Sequence, residues 1–139
     1  MLYFIITFLK TRMNITSIER EWSEYFWKFV LNNSNKHWNW RILSQNQNIT
    51  FDIINNNPYE CWDWEWLGSN PNINFDIVNN NPGKPWDWVN LCCVLIITDD
   101  IIRNNPGKPW DWKALSLNEN ITFDIIEINS DKSWDWKYL

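Results

Sequence analysis

A pair of tryptophans separated by one residue recurs at Trp38/Trp40, Trp62/Trp64, Trp86/Trp88, Trp110/Trp112 and Trp134/Trp136, each pair 24 residues after the last with no insertion or deletion. A fixed period of this length restricts the chain to folds made of equivalent units, so it outranks any local pattern. Other residues keep the same frame. Three residues after each second Trp stands Leu43, Leu67, Leu91, Leu115 or Leu139, and twelve after it stands Asp52, Asp76, Asp100 or Asp124. Two aliphatics follow each of these acids: Ile53-Ile54, Ile77-Val78, Ile101-Ile102 and Ile125-Ile126. An Asn-rich turn then returns to the next Trp, as in Asn80-Asn81-Pro82-Gly83-Lys84-Pro85.

The period divides the chain into residues 38–139, holding four 24-residue repeats and a truncated fifth, and residues 1–37. Within the latter, Phe26-Trp27-Lys28-Phe29-Val30-Leu31-Asn32-Asn33 echoes the second half of a unit and reads as a degenerate repeat. Before it, the apolar run Met1 to Leu9 is too short to span a bilayer. It also lacks the basic start and small-residue cleavage site of a secretory signal. It reads as an apolar N-terminal cap over the first repeat.

The residue pattern predicts an all-α fold, a solenoid of short helix pairs. The first helix of each unit is expected to open at Gly-Lys-Pro, with Pro85 or Pro109 in its first turn, and to run through Trp-Asp-Trp to Leu-Ser. The second is expected to start at Thr50 or Thr122, whose hydroxyl caps free N–H groups while Asp52 or Asp124 favours the positive helix end. Ile49 and Ile54, and Ile121 and Ile126, have the spacing of a hydrophobic staple across that cap. The Asn-Pro step ends the helix, because a residue before Pro avoids the α region. The alternative is a β-solenoid, since Ile49-Thr50-Phe51-Asp52-Ile53 also alternates like a strand and about 24 residues is a plausible coil. On either reading a single unit holds too little apolar surface to offset its ordering entropy, and neighbouring units must cover it.

Composition narrows the functional classes. A net charge of −5 with no basic run argues against a nucleic-acid partner, whose affinity rests on clustered Lys and Arg. Three cysteines, two of them adjacent, make a poor disulfide framework and suit a reducing compartment. His37 is the single histidine, so a zinc site is not expected. No membrane segment and no cofactor motif stand out: there is no Gly-rich phosphate loop, no Ser-His-Asp set and no Cys-His cluster.

Two aspartate ladders recur, Asp63, Asp87, Asp111 and Asp135 between the Trp residues, and Asp52, Asp76, Asp100 and Asp124 after them. Catalysis requires an asymmetric pair with separated pKa values, whereas these are copies spread along an array. Helix capping is the preferred reading and a calcium-binding ladder the lesser one. The thirteen Trp are expected to serve the core first. The second ring of each pair reaches solvent more readily, so Trp40, Trp64, Trp88 and Trp112 are the candidate partner contacts, together with Trp66, which occurs in one unit only. Asn14-Ile15-Thr16, Asn32-Asn33-Ser34, Asn48-Ile49-Thr50 and Asn120-Ile121-Thr122 match a glycosylation pattern but read as turn and cap chemistry. Cys92 and Cys93 stand where other units hold Ser44-Gln45 or Ser116-Leu117, and read as unreactive substitutions.

The string Asn81-Pro82-Gly83-Lys84-Pro85-Trp86-Asp87-Trp88 and the run from Trp110 through Leu115-Ser116 to Ile121-Thr122-Phe123-Asp124-Ile125-Ile126 resemble the tandem-repeat proteins of giant amoebal viruses of the Mimivirus type. Units of that family read roughly Asn-Pro-Asp-Lys-Pro-Trp-Asp-Trp, then Leu-Ser, then Asn-Pro-Asn-Ile-Thr. The resemblance covers about residues 38 to 139. It implies a viral source, a repeat architecture and a place in the host cytoplasm or the virion, and it transfers no catalytic residue. Tyr59-Glu60-Cys61 and the apolar run Cys92 to Ile97 depart from the pattern, and with the early stop at Leu139 they read as a short or decaying array. The leading expectation is a non-catalytic scaffold with a protein partner. A glycan-binding module with Trp platforms is the second reading, and a decayed array without selected function the third.

Overall fold

The computed structural model describes residues 15–139. Among these the fold is all-α, with nine helices and no strand: α1 (Ile15–Asn32), α2 (Trp40–Ser44), α3 (Phe51–Asn56), α4 (Trp64–Leu67), α5 (Phe75–Asn80), α6 (Trp88–Val94), α7 (Asp99–Asn104), α8 (Trp112–Leu115) and α9 (Phe123–Ile128). The segment Ile49 to Ile53, open to a strand reading in sequence, is a cap followed by the first turn of α3. The apolar run Met1 to Leu9 lies outside the described residues.

Helices of four to seven residues do not persist alone, because nucleation costs more than so few hydrogen bonds return. Each is therefore fixed by its ends. In the second helix of each unit the side chain of Thr50, Asn74, Thr98 or Thr122 accepts the N–H three residues on. Asp52, Asp76, Asp100 and Asp124 lie in the first turn, where the helix dipole favours a carboxylate. Ile49 and Ile54, flanking the first of these caps at staple positions, are both buried. At the other end Asn57, Asn81 and Asn105 stop α3, α5 and α7 just before a proline.

The first helix of each unit starts later than the sequence predicts. It opens at Trp40, Trp64, Trp88 or Trp112 and not at Gly-Lys-Pro, so Pro85 and Pro109 lie outside any helix. The cause is the residue between the tryptophans. Asn39, Asp63, Asp87 and Asp111 sit in extended backbone, and each side-chain oxygen accepts the N–H of the residue three on. A short polar side chain at that point is a stronger start signal than a proline upstream.

The core follows the period. Leu43, Leu67, Leu91 and Leu115 from the first helices, Ile49, Ile73 and Ile97 before the second, and Ile54, Val78 and Ile102 within it are all buried. First helices pack on first helices of the next unit, α2 on α4 and α6 on α8. The long α1 buries Ser23, Trp27 and Val30, spaced along one helical face, and exposes Trp22, Tyr25 and Phe29. Trp27, Val30 and Asn33 lie 24 residues before Phe51, Ile54 and Asn57.

Candidate functional site

The first Trp of each pair is an anchor with a fixed set of partners. Its indole Nε1–H donates to the backbone carbonyl five residues earlier, Trp38 to Asn33, Trp62 to Asn57, Trp86 to Asn81, Trp110 to Asn105 and Trp134 to Asn129, at 2.8–3.1 Å. The same asparagines donate through Nδ2 to the carbonyl four residues before them, as Asn57 to Ile53 and Asn81 to Ile77 at 2.7 Å. One Asn thus closes its own helix and orients the next indole. An indole N–H so bonded lets the ring be buried without an unsatisfied donor.

In Trp62, Trp86 and Trp110 the ring is then held by neighbours from two sides. Phe51 stacks on Trp86 at 6.1 Å and Phe75 on Trp110 at 5.7 Å, while Trp27 of α1 takes the corresponding place on Trp62 at 5.4 Å. The second Trp of the preceding unit meets the same ring edge-on: Trp40 on Trp62, Trp64 on Trp86, Trp88 on Trp110 and Trp112 on Trp134, with centroids 5.0–5.5 Å apart. The candidate contact residues Trp40, Trp64, Trp88 and Trp112 are accordingly half-buried, each joining its unit to the next. Trp66 is half-buried as well, with the Arg41 guanidinium 3.9 Å over its ring. Trp136, the last second Trp, is 66% exposed.

Polar bonds reinforce this aromatic ladder. Ser44 Oγ accepts the Asp63 N–H and Ser116 Oγ the Asp135 N–H, both at 2.9 Å, and Cys92 Sγ accepts the Asp111 N–H at 3.4 Å. Asn70, buried, donates to the carbonyls of Ser44, Asn46 and Ile49, and Asn118 to those of Cys92 and Leu95. These clamps went unread in the sequence, although Asn46, Asn70 and Asn118 share one register position and their neighbours Asn48, Asn72 and Asn120 another. The abundance of Asn hid which copies were structural.

The other candidate groups are placed as follows. Asp63, Asp87 and Asp111 are helix caps, and Asp135 closes a turn by accepting the Lys137 N–H. Thr50 and Thr122 spend their hydroxyls as caps within the glycosylation-like triplets. Burial pushes the Cys92 thiol up to about 11, although the Asp111 N–H on its sulfur opposes the rise, and the Asp111 and Asp87 carboxylates add to it. Cys93 is raised in the same direction by burial and those carboxylates. Among the described residues no three His, Cys, Asp or Glu side chains gather in a group that could hold a metal ion, and no helix is long and apolar enough to cross a membrane. A cleft of about 360 Å³ between α1 and α3 is bordered by Arg20, Glu24, Lys28 and Asp52, with Trp27 and Ile53 among its apolar lining. The hydroxyl of Ser23 beside it donates to the Glu19 carbonyl of its own helix.

What varies from unit to unit is the register two residues before the recurring leucine: Arg41, Glu65, Val89, Lys113 and Lys137, all exposed. A second such register holds Asn55, Arg103 and Glu127, exposed, and Asn79, half-buried. Comparison of the chain with known protein families, with curated proteins and with solved structures finds no match.

Proposed function

We propose that this chain is a non-catalytic α-solenoid scaffold that engages another protein, or fills a structural part, in a giant-virus particle or in the cytoplasm of the infected cell. One observation supports this reading above the others. In each unit the Leu register is buried and chemically constant from Leu43 to Leu115, while the register two residues earlier is exposed and carries a cation, an anion, an aliphatic and two further cations in turn. Packing demands the first; in the second, Arg41 lies over the Trp66 ring and Lys137 over that of Tyr138, while Glu65, Val89 and Lys113 stay exposed. Stacked units that keep their core and diversify a face form an extended surface for a macromolecular partner.

A photo-crosslinking residue at Glu65 or Val89, introduced one at a time and exposed in infected cells, tests the proposal. The expected result is capture of the same discrete protein from both positions, lost when Arg41 and Lys113 are changed to Glu. Capture no different from that at Gly83, on the turn between units, would overturn it. The viral setting rests on the sequence resemblance of residues 38–139 and is tested by probing virions for the protein. A glycan module with Trp platforms comes second, because the rings of Trp40, Trp64, Trp88 and Trp112 are engaged with the following unit. Oligosaccharide-dependent quenching of Trp fluorescence would put it first.

A further inference from the structure

We propose that the junction between units 62–85 and 86–109 is a hinge, at which two hydrogen-bonded blocks, residues 38–85 and 86–139, part or reorient before either unfolds. Three of the four junctions between Trp-pair units are stitched by hydrogen bonds spanning 19 or more residues. Units 38–61 and 62–85 share the Ser44 to Asp63 bond, the three bonds of Asn70 and two from Asn72 Nδ2 to the carbonyls of Gln47 and Ile49. Units 86–109 and 110–133 share the Cys92 to Asp111 bond, two from Asn118, and a weak one from Cys93 Sγ to the Ala114 carbonyl. Ser116 joins unit 110–133 to Asp135. Among the described residues no hydrogen bond of this span crosses from 62–85 to 86–109.

The sequence shows why. All three bonding registers are altered at this one junction: Gly68 stands where Ser44, Cys92 and Ser116 offer an acceptor, Val94 where Asn70 and Asn118 clamp, and Ile96 where Asn72 reaches back. A Cβ at Gly68 would meet the Asn90 Oδ1 at 2.5 Å, so a side chain there requires that amide to move. That carbonyl oxygen is buried and accepts no hydrogen bond, whereas the corresponding residue opposite Cys92 is Ala114. First helices pack on either side, α2 on α4 and α6 on α8, while at this junction Gly68, at the end of α4, lies close against Asn90 and Leu91 of α6.

What crosses between the two blocks is ring and apolar packing: Trp64 edge-on to Trp86 at 5.0 Å, Phe51 stacked on Trp86 at 6.1 Å, Phe75 stacked on Trp110 at 5.7 Å, and Gly68 close against Leu91. Aromatic pairs prefer edge-to-face or offset-stacked geometry but keep it over a broad range of centroid separations. They tolerate rotation that a hydrogen-bonded junction resists. In a repeat array cooperativity passes from unit to unit, and the junction with the fewest directional bonds is where sub-global opening begins. A hinge there would let two rigid blocks adjust their relative angle on a curved or mobile partner surface.

Native-state hydrogen exchange, read by mass spectrometry on the full chain at sub-denaturing guanidinium, tests this directly. The amides of α2 to α5 and those of α6 to α9 are expected to follow two separate opening isotherms dividing between residues 85 and 86. One common isotherm, or a division at another unit junction, would overturn the hinge. The double variant Gly68→Ser/Asn90→Ala supplies a hydroxyl opposite Asp87 and copies the Cys92/Ala114 arrangement. One hydrogen bond gained lowers an opening equilibrium roughly fivefold, so the two isotherms should draw together by about that factor. A folded double variant with the separation unchanged would count against the hinge, and if the variant fails to fold, the unaltered chain decides by itself.

Discussion

At the scale of the residue, asparagine supports this fold as much as tryptophan does. Asn81 shows the economy of the choice: its Nδ2 satisfies the Ile77 carbonyl at the end of α5, and its own carbonyl receives the Trp86 indole. Asn81→Ala keeps the carbonyl and loses the amide, so a loss of about 1 kcal/mol is expected in urea unfolding, larger than for Asn80→Ala on the exposed neighbour. Gly83 is the opposite case. No glycine here has positive φ and a Cβ at Gly83 would meet nothing within 4 Å, so Gly83→Ala should be neutral or stabilise by about 0.4–1 kcal/mol through the unfolded chain.

Cys92 links a single thiol to pH. Its pKa is raised from 9.0 to about 11, mainly by burial. Below pH 9.0 it is protonated in both folded and unfolded chains, and its contribution to stability is intact. As pH rises above that value the unfolded chain ionises first, and stability falls by up to about 1.4 kcal/mol per pH unit until the folded thiol also ionises near 11. Cys92→Ser, which keeps an acceptor for the Asp111 N–H, should match the parent at pH 7 and lose less stability between pH 9 and 11 in parallel denaturation curves. Of the three thiols Cys61 alone is exposed, and it should be the one modified rapidly by an aromatic disulfide reagent in the folded protein.

At the scale of the element, stop and start signals matter more than helix propensity. A helix of seven residues such as α6 depends on the Asp87 cap, and Asp87→Ala should cost about 0.5–2 kcal/mol by thermal unfolding, against a smaller loss for Asp135→Ala, which closes only a turn. Unit 86–109 also departs from its neighbours at α7. Asp99 takes the register of Phe51 and Phe75, so Trp134 lacks the stacked ring that Trp86 and Trp110 have, and Asp99 pairs with Arg103 while its Oδ1 is buried without a partner. Asp99→Phe should restore the stack. A gain of about 0.5–1.5 kcal/mol is expected from the aromatic pair, set against an exposed ion pair worth at most about 1; a fall in Tm would show that the register has no room for the ring.

At the scale of the whole molecule, the units share one another's cores. Each first Trp is covered by rings from one or two earlier elements, so a unit cut out of the array loses most of its apolar cover along with the clamps of Asn70 or Asn118. A peptide of residues 86–109 should show no cooperative thermal transition by circular dichroism, whereas the full chain should melt cooperatively with a helical spectrum. A cooperative melt of the peptide would remove the basis for treating the units as mutually dependent.

Much of this was legible in the amino-acid order, because a period and a cap are local facts. The 24-residue frame, the helix pair, the Thr50 and Thr122 caps, the Asn-Pro stops and the buried Leu register all follow from residues close to one another in the chain. Identical copies of a pattern force identical local backbones. The start of α6 was misplaced toward Pro85 because two local signals competed, and the Asp87 side chain prevailed by making a hydrogen bond. Tertiary structure alone decided which copies of an abundant residue matter, since Asn70 and Asn72 differ from other asparagines only in what lies across the junction. It also decided that the second tryptophans face the next unit, and that Gly68, Val94 and Ile96, scattered over 28 residues, weaken one and the same seam. Spacing along the chain sets which groups recur; only the packing of one unit on another determines which of them meet.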